Sequence, residues 1–147
     1  MNLLSALATV AVGFVAWTLV EYVGHRWVMH GPQRSPLARA HRAHHQEPDD
    51  LSVRGSIIYG TIALLLVTAS AAIIALVLDS AAWHLALGFS IGVLAYIASH
   101  WTTHLTEDPT GLRAPWAAHL RHHAGRPDAN FGFSTSVWDR VFGTYRA

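Results

Sequence analysis

The chain contains no cysteine and no lysine. The first absence removes disulfide cross-links and thiolate metal sites such as zinc ribbons. The second leaves arginine as the only strong base, at ten positions. Charge of either sign is scarce: 13% of the residues are Asp, Glu, Lys or Arg, about half of what a soluble domain carries. Acidic and basic residues nearly cancel, with a formal net charge of +1. That balance gives no electrostatic footprint for nucleic acid. At 147 residues there is room for one domain, taken as residues 1–147.

Apolar length takes the place of charge. Leu3–Val20 is uncharged, Gly55–Leu78 is uncharged over 24 residues, and Ser80–Thr106 lacks Asp, Glu, Lys and Arg over 27. A membrane span needs about 20 apolar residues, so spans are predicted at about 3–22, 56–78 and 82–100. Met1-Asn2 lacks a basic leader region, so the first run is expected to remain as a span. Asp79-Ser80 then makes a tight turn between spans two and three. Arg26, Arg34, Arg39, Arg42 and Arg54 lie between spans one and two, and Arg113, Arg121, Arg126, Arg140 and Arg146 follow span three. Three crossings put both groups on one side, which the positive-inside rule makes cytoplasmic. The expected topology is N-terminus outside, C-terminus inside. The fold class expected is all-α: a membrane helical bundle with a cytoplasmic, helical, histidine-rich cap.

Histidine is the abundant reactive residue. Ten of eleven fall into clusters: His25 and His30 as H-x4-H, His41, His44 and His45 as H-x2-H-H, His100 and His104 as H-x3-H, and His119, His122 and His123 as H-x2-H-H. All ten lie on the arginine-bearing side. On a helix, residues three and four apart share a face, so each H-x2-H-H is expected to converge on helices predicted at Pro36–His45 and Pro115–His123. His25 and His30 stand about 140° apart on an ideal helix and converge only if the helix deforms where Gly31-Pro32 ends it. Glu107–Gly111 stops the third span in the same way.

Neutral imidazole is the commonest metal-ligating side chain. A nitrogen-only set suits iron, zinc, copper or nickel. Ten ligands exceed the four of a structural zinc site and fit two ions with about five each. Around them, Glu21 and Asp139 are candidates to accept a hydrogen bond from a ligand's second nitrogen. Alternatively, Glu21 marks the membrane edge and Asp139 pairs with Arg140. Asn130 is either a metal contact or a turn residue. Trp101, Trp116, Phe131, Phe133 and Trp138 either wall a substrate channel or serve as anchors and core. His84, beside Trp83 at the far end of span three, reads as an interfacial residue. A non-catalytic metal-binding or transport protein is the rival reading, but mid-span polar groups amount to hydroxyls such as Thr9, Thr68, Ser70 and Ser90.

These motifs together resemble the fatty acid hydroxylase/sterol desaturase superfamily of membrane di-iron proteins, to which the β-carotene hydroxylases are related. The resemblance is carried by EYVGHRWVMH from Glu21, AHRAHH from Ala40, HLRHH from His119 and the tail NFGFSTSVWDRVFGTY from Asn130 to Tyr145. It implies two iron ions held by the ten histidines, with zinc as an occupant in purified protein, and O2 as co-substrate. It implies hydroxylation, or desaturation, of a fatty acyl, sterol-like or carotenoid lipid. No fused cytochrome b5-like domain is evident. Electrons are therefore expected from a separate donor, ferredoxin or a cytochrome b5-like protein with its reductase. Larger members have four or more spans, where three are evident here.

Overall fold

The structure is a computed structural model that describes residues 1–31, 35–47, 50–78, 80–105, 113–125 and 127–147. For helical residues 51–53, 55–56, 59, 80, 101–105 and 113–116 it describes the backbone alone. The elements are α1 (Leu3–Val23), a π-helical turn (Gly24–Met29), α2 (Pro36–Gln46), α3 (Leu51–Leu78), α4 (Ser80–Leu105), α5 (Arg113–His123) and α6 (Val137–Val141). The described residues include no strand, so the all-α expectation holds. The predicted turn at Asp79 and the stop at 107–111 lie outside the described residues.

Three helices are long and apolar enough to cross a membrane: Leu3–Met29, Gly60–Leu78 and Ala81–His100. Their apolar side chains face outward. Leu4 is 79% exposed and Val77 82%. Such surfaces are stable against lipid, not water. The first crossing is longer than the sequence suggests, because the helix runs through the π turn without a break.

The spans are joined by small residues rather than by an oily seam. A Cβ placed on Gly88 of α4 would lie 1.9 Å from the Val10 carbonyl oxygen of α1, and one on Gly13 would lie 2.1 Å from that of Leu85. Only glycine lets two backbones approach this closely, a recurrent device between helices in lipid. Trp17 fills the next layer. Its ring lies beside Gly92 and meets Phe89 and Tyr96 at 5.4 and 5.6 Å between centroids. This contact fixes the depth of α1 against α4 and so sets the histidine-bearing ends of both at one level. Hydroxyls within the spans bond back to their own helix: Thr9 to Ser5 O, Thr68 to Leu64 O and Ser70 to Leu66 O, each at 2.8 Å. They are satisfied locally and do not line a polar path.

Candidate metal centre

The π turn answers the difficulty posed by H-x4-H. It closes i→i+5 bonds, seen where His30 N–H donates to His25 O at 3.1 Å. Residues five apart therefore stack on one face, and the His25 and His30 rings come within 5.0 Å. The deformation lies between the two histidines, before Gly31, not at the helix stop beyond them. Next, Ser35 caps α2 by accepting from Ala38 N–H at 3.1 Å, with Pro36 in the first turn. That cap starts the helix that carries His41, His44 and His45.

Five histidines, His25, His30, His41, His45 and His122, place one ring nitrogen each within 4.8 Å of all the others. His41 Nε2 lies 3.0, 2.9 and 3.1 Å from the Nε2 atoms of His25, His30 and His45. His122 Nε2 lies 2.9 Å from that of His30. Two of these rings have their tautomer set by the backbone. His25 Nδ1–H donates to Phe131 O at 2.6 Å, and His122 Nδ1–H donates to Ala129 O at 2.7 Å. A carbonyl can only accept, so in both rings Nε2 carries the lone pair that faces the cluster.

A second group surrounds His44. Its ring lies 5.5 Å from His100 and 4.7 Å from His123. His119 lies 5.2 Å from His100 and 4.5 Å from His123. The side chain of His104 lies outside those described, though its backbone continues α4 beyond His100. Each H-x2-H-H is thus divided, which corrects the expectation that its three rings converge. From His41, at about 100° per residue, His44 falls about 60° to one side and His45 about 40° to the other. Helix α2 gives the i, i+4 pair His41 and His45 to the first group and His44 to the second. Helix α5 does the reverse, giving His122 to the first and the pair His119 and His123 to the second. The groups touch where His45 stacks on His123 at 4.1 Å.

The first cluster fits a cation. Ligand nitrogens about 2.0–2.1 Å from a metal ion stand about 3 Å apart when at right angles, close to the 2.9–3.1 Å spacings between the Nε2 atoms here. Burial, with His122 and Arg42 nearby, pushes His30 down to about 4. Burial and the surrounding imidazoles hold His41 far below the usual histidine range. Rings kept neutral at physiological pH offer lone pairs without first losing a proton.

The acidic candidates act on backbone, not on histidine. Asp139 accepts from Phe131 and Gly132 N–H, both at 2.8 Å, and from the Thr144 hydroxyl at 2.7 Å. Glu21 accepts from Phe133 N–H at 2.5 Å and Ser134 N–H at 3.0 Å. Two buried carboxylates therefore grip four successive N–H groups of the tail, the segment whose carbonyls orient His25 and His122. Arg140 lies over the Tyr145 ring at 3.9 Å and is not the partner of Asp139. Asn130 is the turn residue, at φ 57°, with Oδ1 accepting from Arg146 N–H at 2.9 Å. Phe131 and Phe133 are buried and pack on the histidines. Phe131 lies 5.5 Å from both His30 and His122, and Phe133 lies 4.7 Å from His119. Trp138 ties the tail to α1 by donating to the Thr18 hydroxyl at 2.9 Å. The side chains of Trp101 and Trp116 lie outside those described. The π turn and the carbonyl partners were not anticipated from sequence. The pairing of glycine with two phenylalanines in Asn130-Phe131-Gly132-Phe133 was the available sign of a tightly held loop.

The family described as fatty acid hydroxylase matches residues 10–144. A dihydroceramide fatty acyl 2-hydroxylase of Arabidopsis thaliana is 32% identical, over 92% of this chain and 59% of its own length. A ceramide very long chain fatty acid hydroxylase of Saccharomyces cerevisiae is 29% identical, over 99% of this chain and 40% of its own length. A fatty acid 2-hydroxylase of Rattus norvegicus is 31% identical, over 90% and 38%. The chain thus spans between 38% and 59% of the length of these relatives. A solved structure of full-length scs7p, in which only the hydroxylase domain is visible, superposes over the whole chain and 58% of its own, with a TM-score of 0.74 at 25% identity. Motif order, helical architecture and a match from the first span to the tail agree: the chain belongs to the fatty acid hydroxylase family.

Proposed function

We propose that this chain is an O2-dependent di-iron hydroxylase that acts on the acyl chain of a fatty acid or ceramide-type lipid, at the carbon next to the carbonyl. The observation that carries the reading is the pair of interleaved histidine groups at one end of three apolar helices. The names of the relatives support the lipid class and the position oxidised.

His25, His30, His41, His45 and His122 would hold one ion, and His44, His100, His104, His119 and His123 the other. When bound, two irons supply the O2 activation and hydrogen abstraction that oxidation of an unactivated C–H bond needs. The protein supplies the rest. The neutral rings present lone pairs, the Ala129 and Phe131 carbonyls hold two of those rings in place, and the Phe131 and Phe133 rings keep water from the histidines. Dry surroundings strengthen the polar contacts inside them. Electrons come from a ferredoxin or a cytochrome b5-like protein with its reductase. The arginines place the histidines and C-terminus in the cytoplasm and the N-terminus outside. A site at the membrane surface can receive an acyl chain without lifting it into water.

Expression in a host lacking 2-hydroxylated lipid, with an electron donor supplied, tests the reading. The expected result is 2-hydroxylated acyl chains with the native chain, none with His122→Ala, and full product with His84→Ala at equal membrane-inserted protein. No new hydroxylated lipid from the native chain, or full product from His122→Ala, would overturn it.

A further inference from the structure

We propose that Asp139 is a positioning residue for one of the two metal centres, acting on His25 through the peptide group between Phe131 and Gly132. The proposal rests on reading the five-histidine cluster as a metal centre.

That peptide group is engaged at both ends. Its carbonyl accepts His25 Nδ1–H at 2.6 Å, and its N–H donates to Asp139 Oδ2 at 2.8 Å. A carboxylate bonded directly to a ligand histidine fixes the ring and makes it a better donor to metal. Here one peptide unit is inserted between the two. A carboxylate on the N–H polarises the peptide and makes its oxygen a stronger acceptor, since hydrogen bonds in a chain reinforce one another where water is excluded.

The carboxylate is itself anchored. Its other oxygen accepts from Phe131 N–H and from the Thr144 hydroxyl. Because the Thr144 proton is used there, the Tyr22 hydroxyl donates to Thr144 Oγ1, at 3.0 Å. Tyr22 in turn accepts from Arg26 Nη1 at 2.8 Å. A guanidinium at the surface is thus linked through two hydroxyls to a fully buried carboxylate.

His122 supplies the internal contrast. Its ring is held by the peptide between Ala129 and Asn130, and the N–H of that peptide donates to Thr144 O at 3.0 Å. That chain ends on a neutral carbonyl. The two histidines share one cluster and the same kind of carbonyl bond, but only the His25 chain ends on a charge. The effect of Asp139 is expected at the first centre alone, and within it at His25 before His122.

The test uses the full chain in detergent, loaded with cobalt(II), and the variant Asp139→Asn. Chelator competition reads each ion's affinity. The exchangeable, hyperfine-shifted Nδ1–H resonances, assigned with His25→Ala and His122→Ala, read each ring. The expected result is a loss of about 10–100-fold in affinity for one ion and none for the other. The His25 resonance should move and exchange faster while the His122 resonance stays. Wild-type affinity for both ions in the variant would overturn the proposal. So would equal weakening of both ions with loss of both resonances, which is what a purely architectural role produces. If the variant does not accumulate, the native protein decides. Its His25 proton should have a lower deuterium fractionation factor than that of His122, and equal or reversed values would refute the relay. A native chain that binds no cobalt would overturn the metal reading itself, separately from the role of Asp139.

Discussion

Gly132 sits where the tail is pinned between two carboxylates, and its missing side chain is the reason the tail fits there. A Cβ at this position would lie 2.3 Å from the Thr135 carbonyl oxygen and 2.8 Å from Asp139 Oδ2. Backbone cannot swing aside as a long side chain can, so the loop must shift. Gly132→Ala is expected to destabilise the protein by about 1–3 kcal/mol, as overpacking of a filled interior does. Gly24→Ala is the matched control. Gly24 has helical dihedrals and nothing within 4 Å of a built Cβ, so that change is expected to be neutral or to add up to about 1 kcal/mol. Thermal unfolding of the two variants in one detergent checks this. Equal midpoints would show that the tail tolerates the side chain. The residue-level candidates were readable in the sequence because histidine, aspartate and glutamate announce their chemistry by type. What they touch was not readable. Glu21 meets residues 112 and 113 positions away, and the groups that orient His25 and His122 are carbonyls, which every residue has.

The helices place these residues by three distinct means. Apolar length sets the spans, and it could be read directly because lipid imposes it. The glycine contact between α1 and α4 sets their relative height. Gly88→Ala would drive a Cβ to 1.9 Å from Val10 O, and the two spans would have to separate or slide. Since α1 leads to His25 and α4 carries His100, the shift would carry ligands of the two groups apart. Gly88→Ala is expected to lower hydroxylation per inserted protein at least about tenfold, since catalysis falls steeply when reacting groups are misplaced by an ångström. Gly60→Ala in α3, with nothing within 4 Å, should leave the rate unchanged. Equal rates in the two would mean that the close approach does not position the site. The π turn is the third means, and periodicity concealed it: a regular α-helix leaves H-x4-H split, and only the change to i→i+5 bonding joins it.

The whole molecule is one apolar bundle with its chemistry gathered at one end. The sequence shows two matched halves, each a span followed by a histidine pair and an H-x2-H-H helix, and this invites assignment of one ion to each half. The fold crosses them. The first group takes four histidines from the first half and His122 from the second, while His44 joins His100, His119 and His123. Spacing fixes which residues share a helix face, but not which neighbouring helix that face meets, so the division of adjacent residues between centres emerges only from the packing of α2 and α5. Neither half could then build a centre alone, and the site would form only when the hairpin of α3 and α4 has docked.

Metal content of the purified full chain tests this crossing, with native protein, His44→Ala and His45→Ala compared after equilibration against a weak chelator. The expected result is two ions per native chain and one in each variant, with the two variants losing different ions, as shown by distinct cobalt(II) spectra for the ion each retains. One ion in the native chain, or the same ion lost from both variants, would contradict two interleaved centres.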